Sequence, residues 1–185
     1  MEFETHPLTT DRWGDLEALF GKSGAWGGCW CMWWKWTAKE FDEHKGDSNR
    51  AALRAACSER PPGLLGYIDG VVCGWVAIEP KEAYPRLLRS RTLTPVDEQP
   101  VWSVTCFYIA ANARRRGVSA TLLQAAVDWA ARSGATIVEG YPSLSNPHDW
   151  MGLPTTYERC GFERVSAPRG KRVIMRRRLQ RPPEA

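Results

Sequence analysis

The chain of 185 residues is 43% apolar and 25% charged, ordinary values for a globular protein that leave no compositional argument for disorder. Its formal charge of +4 gathers at residues 114–116 and 164–178, and no helix-turn-helix, zinc-finger or aromatic RNA-binding pattern accompanies it, so no nucleic acid partner is expected. The first residues are acidic and polar, and no run of about 18 apolar residues occurs, which argues against a leader or a membrane span and predicts a cytoplasmic protein. At this length one domain suffices over 1–185, and the six scattered cysteines read as reduced thiols. Cys29 and Cys31 lack a second ligand pair at zinc spacing, so no metal is expected.

Residues 2–8 read as a first strand, and Thr10 reads as the cap of a helix through Phe20 that carries Trp13, Leu16, Leu19 and Phe20 on one face. A glycine-rich stretch follows with five tryptophans, Trp26, Trp30, Trp33, Trp34 and Trp36. Residues 37–59 turn polar and helical, with a break near Gly46, and Pro61-Pro62-Gly63 closes this N-terminal region of 1–63. The period then changes to strands: 64–68 and 71–78 form a hairpin about Asp69-Gly70. Residues 79–100, with four prolines and many charges, read as a long surface excursion and a candidate substrate loop. A central strand at 101–110, a helix at 118–132, a strand at 137–140, a short helix around Tyr157 and two last strands complete a core over 64–179, with a frayed tail at 180–185.

Between the central strand and the best helix lie Arg114-Arg115-Arg116-Gly117-Val118-Ser119-Ala120. The first turn of a helix leaves amides without internal acceptors and carries about half a positive charge, so an anion meets preorganised donors there. Gly117 lets backbone approach a ligand, Ser119 and Ala120 keep the approach open, and the arginines offer bidentate phosphate donors. An ordinary loop with solvated arginines is the alternative reading of the same residues.

Arg114-x-x-Gly117-x-Ser119-Ala120 resembles the Gln/Arg-x-x-Gly-x-Gly/Ala pyrophosphate signature of the GNAT superfamily of N-acetyltransferases, with Ser119 a mild departure. Downstream, Thr156-Tyr157-Glu158-Arg159-Cys160-Gly161-Phe162 is similar to the closing Tyr-Glu-x-x-Gly-Phe element of that family. The resemblance implies an α/β (mixed α+β) fold: a splayed mixed central sheet of about six to seven strands flanked by about four helices. It also implies acetyl-CoA as co-substrate, held by the backbone of Phe107, Tyr108 and Ile109 and by the turn from Arg114 to Ala120, Val118 included. The oxyanion donor falls to the amide near Tyr108 or Ile109.

Acetyl transfer needs a neutral amine, a polarised thioester carbonyl and a proton for the departing thiolate. A lysine-like amine with a pKa of about 10.4 is neutral only about once in 2,500 molecules at pH 7, so a base or a desolvating site is required. Counting back from Gly117 places Ser103 where some family members carry a glutamate, which leaves Glu139 and Glu79 as candidate bases; both could equally be ion-paired. By resemblance Tyr157 protonates the CoA sulfur, the alternative being a ring packed on the core. The tryptophan stretch, with Glu82, Glu79, Asp97 and Glu98, would suit a cationic small-molecule amine such as an aminoglycoside-like antibiotic, although several rings could simply seal the sheet. Protein N-terminal or lysine acetylation, and a non-catalytic acyl-CoA sensor, stay open at this stage, as does a homodimer.

Overall fold

A computed structural model describes residues 2–179; the tail expected to fray at 180–185 lies outside the described residues. Among the described residues one seven-stranded sheet runs β1-β2-β3-β4-β5-β7-β6. Its strands are β1 (Phe3–Pro7), β2 (Gly63–Ile68), β3 (Val71–Pro80), β4 (Trp102–Ile109), β5 (Ile137–Gly140), β6 (Glu163–Arg164) and β7 (Met175–Arg178). All neighbours pair antiparallel except β4 and β5, which are parallel. Asp69 and Gly70 both take positive φ, 49° and 78°, so the β2–β3 turn has the two left-handed residues its sequence suggests.

The described helices are α1 (Trp13–Phe20), α2 (Ala38–Glu43), α3 (Asp47–Glu59), α4 (Pro85–Leu88), α5 (Val118–Arg132) and α6 (Pro154–Arg159), with short 3-10 turns at 10–12, 81–83 and 111–113. That is more than the four or so expected, because Gly46, at φ 82°, separates α2 from α3, and α4 is a single turn inside the excursion. Thr37 caps α2 in a reciprocal box with Glu40. Thr10 does not play that part: it opens a 3-10 turn, and neither that turn nor α1 has a side-chain cap bond.

Alternation along β2 and β3 builds a core on each face. Leu64, Val76 and Ile78 pack with Leu122, Leu123, Ala126 and Val127 of α5 and with Tyr157 and Phe162. On the other face Leu65, Tyr67, Trp75 and Ala77 meet Trp13, Leu16 and Phe20 of α1, together with Trp30, Met32 and Leu53. α5 lies close against the sheet because glycines floor its track; a Cβ on Gly74 would stand 2.8 Å from Leu122 Cδ1. This close seat carries the start of α5 to the end of β4.

Residues 79–100 differ from the surface excursion expected. Tyr84, Leu87 and Leu93 are buried in a third apolar cluster with Tyr141, Met151 and Ile174. A buried ionic network pins the segment beneath: Lys81 Nζ lies 2.7 Å from Glu139 Oε1 and Arg176 Nε 2.6 Å from Glu139 Oε2, while Arg176 Nη1 reaches Asp97 Oδ2 at 2.7 Å. Proline and charge content marked an irregular path but not these inward anchors. Because Glu139 holds two buried cations, Glu139→Gln is expected to lower unfolding free energy by about 3–5 kcal/mol, read as an earlier urea midpoint with unchanged slope.

Candidate active site

The site begins where two strands part. β4 and β5 pair at Trp102↔Val138, Ser103↔Glu139 and Val104↔Gly140, and there the parallel ladder ends. At the same point the β3–β4 register slips between Ala77 and Ile78, which face Cys106 and Val104, so Thr105 is the extra residue of a bulge. Beyond it β4 stays on β3 and opens its other edge to a cleft. Phe107 N–H donates across that edge to Trp150 O at 2.6 Å, whereas Ala110 N–H donates to Cys73 O on β3. Alternation therefore turns Ile109 N–H toward the cleft and Tyr108 N–H toward β3. Of the two amides expected as oxyanion donors, only that of Ile109 faces the cleft, and Phe107 is a further cleft-facing donor.

Tyr157 stands at the fork. It is fully buried, donates from Oη to Met151 O at 3.1 Å, and meets Phe107 and Phe162 edge-on. Burial pushes its phenol well above the usual range, with Arg172 opposing, so the group keeps its proton at any working pH. The ring rests directly over Gly140, where any Cβ would overlap Tyr157 Cε1. Tyr141, beside it in sequence with Gly140, is equally buried; its Oη donates to Glu139 Oε1 at 2.6 Å and lies 2.8 Å from Ser103 Oγ.

At the far end of β4, Arg115 and Gly117 take positive φ, 60° and 80°, and bend the chain into α5. Gly117 is the N-cap of this 15-residue helix and no side chain caps it; Ala120 N–H donates to Gly117 O at 3.0 Å, so the amides of Val118 and Ser119 are those left for solvent or a ligand. Arg114, Arg115 and Arg116 are exposed around the turn, Val118 packs into the core, and Ser119 and Ala120 are half-buried. Arg114 Nε also donates to Ile109 O at 3.1 Å, tying the turn to the cleft edge of β4.

The two carboxylates differ. Glu139 is wholly buried with both oxygens taken, by Lys81 and Tyr141 on one and Arg176 on the other. Glu79, opposite Ser103 on β3, has Lys35 Nζ 2.5 Å from Oε2, at an angle too poor for a hydrogen bond; the contact is an ion pair. Glu82 and Glu98 are exposed, and Asp97 is spent on Arg176.

The tryptophans do not form one wall. Trp26 is 86% exposed, whereas Trp30 is buried and stacked on Trp13. Trp36 donates from Nε1 to Asn49 Oδ1 at 3.0 Å and stacks on His44. Trp33 and Trp34 alone among the five line a surface groove, with Thr37, Ala38, Arg86, Arg89 and Ser90. Glycines and rings in the sequence could not separate these fates, because tertiary packing decides them.

A profile of the family described as Acetyltransferase (GNAT) family matches residues 30–162. The chain belongs to the GNAT family. It is accordingly an acetyl-CoA-dependent acyltransferase, and amines are the acceptors of such enzymes. Solved structures share the fold at low identity. The PaiA N-acetyltransferase of Thermoplasma acidophilum, in complex with coenzyme A, superposes with a TM-score of 0.58 at 13% identity over 97% of this chain and 100% of its own. The ribosomal-protein-alanine N-acetyltransferase of Brucella melitensis gives 0.58 at 16% identity over 95% and 99%. An N-acetyltransferase of Staphylococcus aureus Mu50 gives 0.59 at 12% identity over 97% and 100%. Among curated protein sequences none matches.

Sequence reading missed one part of this GNAT site. Residues 141–153 carried no expectation from the sequence, yet Trp150 and Met151 supply the carbonyls that hold Phe107 and Tyr157, and Arg172 clamps the loop through Asp149 at 2.8 and 2.9 Å. No local pattern announces a pairing so distant in sequence. Since Gly140 leaves room for Tyr157, Gly140→Ala is expected to cost about 1–3 kcal/mol by overpacking, seen as a lower melting temperature. Gly14→Ala, at an exposed helical glycine with open space around it, should leave that temperature unchanged or raise it.

Proposed function

We propose that the chain transfers acetyl from acetyl-CoA to a primary amine of a small molecule. The observation that carries this reading is the fork between β4 and β5, with cleft-facing amides at Phe107 and Ile109, a protonated phenol at its apex and an uncapped helix start at its mouth. In this reading the turn from Arg114 to Ala120 holds the pyrophosphate through α5 amides and arginine side chains, and Gly117, with open space around it, admits the phosphate to the backbone. The pantetheine amides then pair with the open edge of β4 as an added strand would.

The Phe107 amide is held by Trp150 O, so the cofactor arm must exchange that bond for its own. The same exchange frees Tyr157 from Met151 O and lets its hydroxyl meet the sulfur. A phenol raised above its ordinary pKa holds its proton more tightly than a thiol does, so Tyr157 stabilises the departing thiolate chiefly by a strong hydrogen bond, and a proton it passes to the sulfur is replaced from solvent water before the next turnover. The Ile109 or Phe107 amide receives the developing oxyanion.

Glu79 is the better candidate to take the proton of the amine, directly or through water. Its ion pair with Lys35 is one contact, while Glu139 is fully committed to Lys81, Tyr141 and Arg176. Glu139 then acts by holding β5 and the fork in place. The compact groove at Trp33 and Trp34, of about 390 Å³, is the size of a small acceptor, not of an extended peptide channel.

The experiment is release of CoA thiol from acetyl-CoA across amino acids, aromatic amines, polyamines, aminoglycosides and short peptides. Turnover on a small amine is the expected result; turnover confined to peptides would replace this reading with protein acetylation. Tyr157→Phe is expected to lower kcat by about 10²-fold or more while acetyl-CoA affinity by calorimetry stays within about twofold. Equal kcat in the variant would remove Tyr157 from the chemistry. Gly117→Val, which puts a branched side chain at φ 80°, should instead weaken acetyl-CoA binding about tenfold or more with the fold retained.

A further inference from the structure

The groove beside the tryptophans carries positive charge, opposite to what a polycationic acceptor needs. Arg86 lies with its guanidinium 3.6 Å from the Trp33 ring centre, stacked on its face. Its Nη1 is buried with no hydrogen-bond partner, and so is Trp34 Nε1. Two unpaired donors, on two residues that line one groove, are costly unless something accepts from them. Arg89 and the hydroxyl-bearing Ser90 and Thr37 complete the rim.

Among the described residues no carboxylate stands within ion-pair distance of Arg86 or Arg89. Asp42, on α2, acts on Arg86 only at longer range and pairs with Lys45 at 3.2 Å. Glu40 of α2, which Arg89 faces at longer range, is spent in the Thr37 capping box. Burial is the main influence on Arg86, disfavouring its charge, so an anion arriving in the groove would relieve it.

Trp34 links this groove to the fork. Its ring packs against the cluster of Tyr84, Leu87, Tyr141 and Met151, and its carbonyl accepts from Arg86 N–H at 3.2 Å. Tyr141 and Met151 are the residues that flank Tyr157. Trp34 thus lines the groove and also packs against residues that support the fork.

We propose that this groove binds an anionic group, a carboxylate or a phosphate, on a small planar acceptor, so that the acceptor amine belongs to an acidic or zwitterionic molecule and not to a polycation. The guanidinium offers a planar fork to the two oxygens, Trp34 Nε1 adds a neutral donor, and the Trp33 face takes the flat apolar part. The assignment of the acceptor rests on the acetyl-transfer reading above; the anion site does not.

The test separates the two. Benzoate, phenyl phosphate, benzamide and benzylamine are titrated into the full chain with tryptophan fluorescence and the indole N–H resonances as readouts. Benzoate or phenyl phosphate is expected to bind at least about tenfold more tightly than benzamide or benzylamine, and the tighter of the two names the anion. In Arg86→Gln that preference should fall to about one. Should Arg86→Gln fail to fold, Arg89→Gln, on an exposed side chain, should still lower it about threefold. Equal binding of benzamide, or a preference kept in the folded Arg86→Gln, overturns the site. For the acceptor, 4-(aminomethyl)benzoate should exceed benzylamine at least about tenfold in kcat/KM. Equal turnover of the two sinks the acceptor class and leaves the small-amine reading standing; anion binding with no turnover of any small amine keeps the groove and sinks the small-amine reading.

Discussion

The parting of β4 from β5 is the constraint on which the rest of the molecule depends. Parallel strands joined by a crossover helix normally stay paired along their length, since each abandoned amide or carbonyl must find another partner. Here the ladder stops at Val104 and Gly140, and the Thr105 bulge swings β4 away while β3 holds it from behind. The orphaned edge is satisfied locally by a loop carbonyl, which is a bond that can be traded for another of the same kind. A continuous sheet would be more economical, but would have no place for a cofactor arm.

Keeping the fork open falls to polar groups that a hydrophobic core would ordinarily exclude. Glu139, Lys81, Arg176 and Tyr141 tie β5 to β7 and to the segment after β3, and Arg172 with Asp149 fixes the loop that fills the cleft. Buried ion pairs of this kind add little net stability compared with apolar residues of equal volume, yet they have one geometry. An apolar filling at the same place could shift and let the strands close. Much of the basic excess near the C-terminus is consumed in this way: Arg172 and Arg176 bind acids, and Arg177 reaches Gln124 and the Cys160 carbonyl. The basic excess at 164–178 is thus in good part an internal matter.

Two cationic surfaces of the molecule differ in their electrostatics. Around the start of α5, Arg114 to Arg116 are exposed and no side chain caps the helix. In the groove beside Trp33, Arg86 is partly desolvated on an indole face, and carboxylates are held elsewhere: Glu79 by Lys35, Asp97 by Arg176, Asp42 by Lys45. The phenols at the fork are kept neutral by burial. Acetyl-CoA, itself an anion, is drawn to a chain whose net charge is positive.

What the sequence determined by itself is whatever depends on neighbours along the chain. Period-two alternation marked β2 and β3, Asp69-Gly70 marked their turn, the apolar stripe of 118–132 gave α5 its limits, and Gly117 with its arginines marked an anion-accepting helix start. These are short-range matters of dihedral preference and one-sided burial, so a window of a dozen residues contains them. Only the tertiary structure decided the partners of Glu139, the burial of Trp30 against the exposure of Trp26, and the inward turn of Tyr84 and Lys81. It alone decided, too, that Trp150 and Met151 close the fork. Most of these contacts join residues tens of positions apart, and the energy of burying a charge or ring depends on what arrives opposite it, which no local pattern carries.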